Sequence, residues 1–185
     1  MTPQNDTELI GPQKILSEQL EIKYGDRVGD LGCGCLGFFT FQAAKMVGDG
    51  GTVYAVDIIK EHLKRINSLA KEQGLNNIVT LWSDLESFGT TKINNNTLDF
   101  CFLVNVLFQN KLPDKIIKEA LRLLKTGGQL LIIDWREGRF SLGPKPQLKI
   151  SKEKVLNLTT ALGLKYLKEF NAGPYHYGLI LEKIV

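Results

Sequence analysis

The residues best suited to chemistry are an aspartate just before a run of glycines and two more aspartates downstream. In "VGDLGCGCLGFFT", residues 28–40, Gly32, Gly34 and Gly37 fit G-x-G-x-x-G, a spacing that lets backbone approach a dinucleotide. Asp30 sits two places before the first glycine, and Cys33 and Cys35 fill the gaps. Asp57 lies 20 residues beyond Gly37, at the end of "GGTVYAVD", where a carboxylate can accept both hydroxyls of a ribose. Asp84 follows a third apolar stretch, "NIVTLW". A pyrophosphate favours a bare helix N-terminus and tolerates few nearby anions. Two unit charges about 4 Å apart interact by about 4 kcal/mol at a surface-like dielectric, so a rim of Asp30, Asp57 and Asp84 suits a cation better than an anion.

These groups need elements to carry them. "KILSEQLEI" puts Ile15, Leu16 and Leu20 on one helical stripe. "RVGDL" predicts a short strand into the glycine loop, "FFTFQAAKMV" a buried helix closed by Gly48, and "GGTVYAVDI" a second strand. "KEHLKRINSLAKEQG" reads as a helix with Leu63, Ile66 and Ala70 inward, and "NIVTLW" and "TLDFCFLVN" as strands. "PDKIIKEALRLLKTGG" starts with proline and ends with glycine, as helices do, before the strand "QLLIID". Ser151 can cap "KEKVLNLTTALG", and "LKYLKEF" and "YHYGLILEKI" close the chain. Strand–helix alternation implies an α/β, doubly wound, mostly parallel sheet with helices on both faces. Only "NAGPY" separates the last two strands, too little for a parallel crossover, so they form an antiparallel hairpin in a seven-stranded sheet.

In this order the chain resembles the class I, Rossmann-like S-adenosylmethionine-dependent methyltransferases, from about residue 12 to the end. The likeness is carried by "VGDLGCG", "VYAVDI", "LWSDLE", "LDFCFLVNVLF", "LRLLKTGGQLLIIDW" and the terminal hairpin. It implies a small single-domain enzyme with S-adenosyl-L-methionine as cofactor. Gly32, Cys33 and Gly34 would form the cofactor loop, and Asp57 with Ile58 the ribose edge. Asp84 and Leu85 would meet the adenine, while Asn105, Val106 and Asp30 would meet the amino-acid end. The family commonly reads D-x-G-x-G-x-G, whereas "DLGCGCLG" delays its last glycine by one residue, which puts the contacts of Cys35, Leu36 and Gly37 in doubt.

On the acceptor side, the strand ending near Asp134 and the hairpin strand starting at Tyr175, His176 and Tyr177 reach the same edge. His176 titrates in the useful range and is the first candidate for a base, with Asp134 second. Arg136 and Arg139 lie in the loop over 135–150, a candidate substrate rim. His62, beside Glu61 and Lys64, reads as solvated surface. Asn105 heads "NVLFQ" without the prolines of nucleic-acid amino methyltransferases, which disfavours adenine-N6 chemistry. The arsenite type relies on several placed cysteines that Cys33, Cys35 and Cys101 do not match.

At 185 residues and 43% hydrophobic, one domain over 1–185 is expected, with a flexible lead-in over 1–11. The start lacks the pattern of a signal peptide, and no apolar run is long enough to span a bilayer. A cytoplasmic protein with no membrane insertion is therefore expected. Three cysteines without C-x-x-C spacing point to no metal site, and a net charge of +3 names no nucleic-acid partner. The expected activity is methyl transfer to a small-molecule acceptor. The alternatives are an RNA or protein methyltransferase and, on the glycine spacing alone, an NAD-dependent oxidoreductase.

Overall fold

Residues 11–185 are described in a computed structural model of the chain; apart from Gly11, the expected lead-in over 1–11 lies outside the described residues. The elements run α1 (Pro12–Gln19), β1 (Arg27–Leu31), α2 (Phe38–Val47), β2 (Thr52–Asp57), α3 (Lys60–Glu72) and β3 (Ile78–Trp82). They continue with β4 (Leu98–Val104), α4 (Pro113–Leu123), β5 (Leu124–Trp135), α5 (Lys152–Ala161), β6 (Leu164–Asn171) and β7 (His176–Lys183). Local chemistry sets several of these ends. Pro12 and Pro113 open α1 and α4, where a missing N–H is harmless. The Ser151 hydroxyl accepts from Lys154 N at 3.2 Å and caps α5. Gly48 closes α2 at φ 60°, its N–H returning to the Ala44 carbonyl.

The seven strands make one sheet in the order β3-β2-β1-β4-β5-β7-β6. Neighbours from β3 through β5 are parallel, and β7 lies antiparallel between β5 and β6. Strand order reverses between β1 and β4, which opens a crevice at their carboxyl ends. One face packs Leu103, Ile132 and Leu179 under Ile116, Ile117 and Val155 of α4 and α5. The other packs Val28, Phe102 and Ile133 under Leu16, Phe39 and Val47 of α1 and α2. Both faces are covered, so the central strands are apolar without alternation.

Outside the terminal β6–β7 hairpin, strict alternation fails once. The β3–β4 connection, residues 83–97, has no helix and is held instead by buried Glu119 on α4. Its carboxylate accepts from Gly89 N at 2.8 Å and Thr91 N at 3.2 Å, and pairs with Arg122 at 2.7 Å. Burial alone would raise the pKa of Glu119, but the hydrogen bonds from Arg122, Gly89 and Thr91 outweigh it and the net shift is downward. The glycines after α4 also differ from expectation. The helix ends at Leu123, and Gly127 (φ 79°) and Gly128 form an irregularity inside β5. A Cβ on Gly128 would lie 3.0 Å from the Leu98 carbonyl and 3.1 Å from that of Asp99, so backbone proximity demands glycine there.

Glu119→Ala takes the carboxylate away from the Arg122 guanidinium, whose side chain is 11% exposed, and leaves that charge on the neutral oxygens of Thr91, Ile93 and Asn95. Removing one partner of a buried pair should lower unfolding free energy by about 3 kcal/mol in urea denaturation. A loss below about 1 kcal/mol would mean that the loop is held by other contacts.

Candidate active site

The crevice is built by the glycine loop after β1. Gly32 has φ 87° and Gly34 φ 65°, conformations that L side chains rarely adopt. A Cβ on Gly32 would sit 2.5 Å from Val106 Cγ2, so glycine lets the β1 and β4 tips meet. A Cβ on Gly34 would meet nothing within 4 Å. Gly37 plays a different part. At φ 54° it precedes α2, and a Cβ there would collide with Ile66 on α3. The late third glycine thus serves packing of α2 against α3.

Asp57 organises the loop. Its Oδ2 accepts from Gly34 N and its Oδ1 from Ile59 N, both at 2.9 Å. His62 Nδ1 lies 3.2 Å from Oδ2, at an angle that makes no hydrogen bond, and finds no partner among the described residues. His62 is therefore not solvated surface: it is the first-turn residue of α3 facing back to the strand tip. Its position five residues after Asp57, across a strand-to-helix turn, was the available signal.

Around Asp57 lies a cleft of about 260 Å³, bordered by Gly32, Gly34, Ile58, Asp84, Leu85 and Val106 among others. Sequence reading missed Ser83, Gln109, Asn110 and Ile116, which also border it. Asp84 accepts from Glu86 N and Ser87 Oγ, each at 3.0 Å, which fixes the turn that presents it. Among the described residues, two carboxylates face the cleft and no lysine or arginine does. A groove of about 310 Å³ at the opposite edge of the sheet carries Asp99 and Lys125, already paired to each other at 2.8 Å, and lies away from every strand tip that bears chemistry.

Four expected site residues sit differently from expectation. Cys33 turns inward, packs with Phe41, Leu63 and Ile66, and keeps only its backbone in the loop, donating to the Val56 carbonyl at 3.0 Å. Burial pushes its thiol well above the ordinary range. Asp30 is buried beside the loop and accepts from Thr40 Oγ1 at 2.5 Å. Desolvation, only partly offset by Thr40 and increased by Asp57, raises its pKa to about 6.

Asp134 does not close over an acceptor. It is fully buried and accepts from Trp135 N at 2.8 Å and Phe108 N at 3.2 Å, so it pins the turn after β4. Desolvation raises its pKa to about 7. Asn105 and Val106 do lie at the β4 tip; Val106 borders the cleft, and Asn105 takes φ 56° with its Oδ1 buried and unpaired. His176 is buried, and desolvation followed by the charges of Arg136 and Lys149 lowers its pKa to about 4, below the range expected of it as a base. Arg136 is also spoken for: its Nε donates to the His176 carbonyl at 2.8 Å and its Nη2 to Asn171 Oδ1 at 2.9 Å.

Residues 22–170 match the family described as "Methyltransferase domain". The chain is also similar to a SAM-dependent methyltransferase of known structure from Aquifex aeolicus, at 30% identity and TM-score 0.86, covering 95% of this chain and 91% of that one. The chain belongs to the class I S-adenosylmethionine-dependent methyltransferases. A curated relative of Saccharolobus solfataricus, "Probable cobalt-precorrin-6B C(15)-methyltransferase (decarboxylating)", is 31% identical over 62% of this chain and 55% of its own length. The arsenite methyltransferase of Aquipseudomonas alcaligenes is 32% identical over 60% of this chain and 33% of its own. The chain thus spans about half, or less, of the length of these curated relatives. S-adenosylmethionine is the cofactor of this methyltransferase family, and the cleft fits it: bare glycine backbone, facing carboxylates and no cation that would seek a phosphate.

Burial separates the thiols of this methyltransferase. Cys35 is exposed, whereas Cys33 and Cys101 are buried with raised pKa values. Titration of the native protein with Ellman's reagent should show one fast thiol per chain, and all three after unfolding. Two fast thiols would place Cys33 or Cys101 at the surface.

Proposed function

We propose that this methyltransferase transfers the methyl group of S-adenosylmethionine, by in-line displacement, to a small-molecule acceptor in the cytoplasm. The observation that carries this reading is the cleft beside Asp57, which combines facing carboxylates with no lysine or arginine. Gly32 and Gly34 would admit the cofactor against bare backbone, and the free lone pairs of Asp57 would take the ribose hydroxyls. Asp84 and Leu85 would hold the adenine, Ile58 would cover the ribose edge, and Asn105 and Val106 would back the amino-acid end. Bound there, the cofactor supplies an electrophilic methyl group on a sulfonium.

The chain's own residues then act by orientation, which can account for several kcal/mol of the barrier. A base is needed only if the acceptor arrives protonated, and His176, its pKa lowered by burial to about 4, would be a weak one that mainly positions the acceptor. Asp134 serves as a positioning residue through the Phe108 backbone. Three free cysteines accord with a reducing compartment. A small acceptor accords with the names of the cobalt-precorrin and arsenite relatives. A thiophilic acceptor is not favoured here, since only Cys35 is exposed.

With the methyl group of the cofactor tritiated, label should enter the small-molecule fraction of a cell extract. Label in RNA or in precipitated protein would contradict the acceptor class. Asp57→Ala should weaken cofactor binding at least tenfold in calorimetry, because hydrogen bonds to a charged group contribute about 1.5–3 kcal/mol. Unchanged affinity would remove Asp57 from the site.

Binding should also depend on pH through Asp30, whose carboxyl titrates at about 6 rather than 3.8. Below that pH it is mostly protonated and neutral; above it, the anion attracts the sulfonium and ammonium. Affinity should therefore rise as pH increases through about 6, and Asp30→Asn should flatten the rise. A wild-type profile already flat from pH 5 to 8 would contradict this.

A further inference from the structure

At the tips of β5 and β7, along the same edge of the sheet, two buried rings carry polar atoms that find no partner among the described residues. Trp135 ends β5 and His176 begins β7; they are in register across the antiparallel pair, with ring centroids 4.2 Å apart. His176 is 2% exposed and Trp135 9%. Among the described residues, neither imidazole nitrogen nor the indole Nε1 finds a hydrogen-bond partner. Native structures rarely keep one such orphan, and adjacent ones point to a missing partner. At the tip of β4, Asn105 Oδ1 is unpaired too, on backbone at φ 56°, a conformation that tends to persist at functional sites.

Further aromatic residues lie near the pair in space or in sequence. The Phe108 ring lies 6.5 Å from Trp135, and Phe140 lies 5.4 Å from Tyr175. The loop over 136–149 folds down on the indole. A Cβ on Gly143 would lie 2.6 Å from Trp135 Cε3. Lys149 Nζ, donating to the Gly138 carbonyl at 2.9 Å, sits 4.3 Å from the Phe140 centroid and 6.0 Å from that of Trp135. Burial first, and then the charges of Arg136 and Lys149, bring the His176 pKa down to about 4. The imidazole is therefore neutral, with one N–H and one bare nitrogen.

We propose that Trp135 and His176 form the acceptor's binding site beneath a lid of residues 136–149, and that the acceptor is a flat, conjugated ring compound bearing a free hydroxyl. This deepens the methyltransferase reading and rests on it. A hydroxyl can accept from the indole N–H and at the same time donate to the bare imidazole nitrogen. A carboxylate would leave the bare imidazole nitrogen without a donor, and an ammonium has no lone pair for the indole. Arg136 and Lys149 beside the pair repel an ammonium further. The flat aromatic walls suit a conjugated ring, which can stack or meet them edge-on.

Trp82→Phe leaves Trp135 as the sole tryptophan, so its ¹⁵N-labelled indole gives one N–H signal. This protein, saturated with S-adenosylhomocysteine, is titrated with 2-naphthol and with its ether 2-methoxynaphthalene. A saturable shift of that signal is expected with 2-naphthol, and at least tenfold weaker binding of the ether, which cannot donate. His176→Phe added to this protein keeps a ring but no nitrogen; it should weaken 2-naphthol at least tenfold and leave S-adenosylhomocysteine affinity within twofold. Equal binding of naphthol and ether, or no saturable shift in protein that still binds S-adenosylhomocysteine, overturns the acceptor class and leaves the methyltransferase reading standing. Failure of the wild-type chain to bind S-adenosylhomocysteine overturns both.

Discussion

The site depends on the two oxygens of Asp57. One takes the Gly34 N–H and the other the Ile59 N–H, so a single side chain at the β2 tip fixes both the loop after β1 and the start of α3. That bond is possible because Gly34 tolerates φ 65°; a side chain there would strain the loop away from the carboxylate. Gly32, seated against Val106, ties the same loop to β4. The crevice at the reversal of strand order is therefore preformed, and a carboxylate with about four acceptor positions keeps some free for a ligand.

Charge adds a second constraint. Asp30 lies close enough to Asp57 to feel its charge, and is held out of water against Thr40. An anion beside them would meet repulsion with no lysine or arginine in the cleft to offset it. A cation relieves the strain. This asymmetry explains why a glycine loop that fits the dinucleotide spacing serves a sulfonium nucleoside instead: glycine spacing sets how close a ligand comes, and the neighbouring charges select it.

Much of this was legible from pattern alone. The sequence reading of β1 and α2 coincides with the observed bounds, because β-branched and apolar runs there end at glycines that change the backbone. The terminal hairpin followed from the length of "NAGPY", a constraint of chain geometry. Side-chain direction in irregular loops was not legible. Cys33 and Gly34 are adjacent, yet one packs under α3 and the other opens on the cleft; no periodicity governs such a turn. Long-range partners were hidden for the same reason. The bonds of Glu119 to Gly89 and Thr91, and of Asp134 to Phe108, join residues 26 to 30 positions apart. His62 was misjudged because its charged helical neighbours read as a solvated face, while the first turn after Asp57 folds it back.

The central claim is that carboxylates at neighbouring strand tips select a phosphate-free nucleoside. Parallel calorimetric titrations of the wild-type chain with S-adenosylhomocysteine and with NADH test it most directly. Saturable binding of the thioether nucleoside is predicted, with no heat from the dinucleotide at the same concentrations. Binding of NADH with no response to S-adenosylhomocysteine would contradict it.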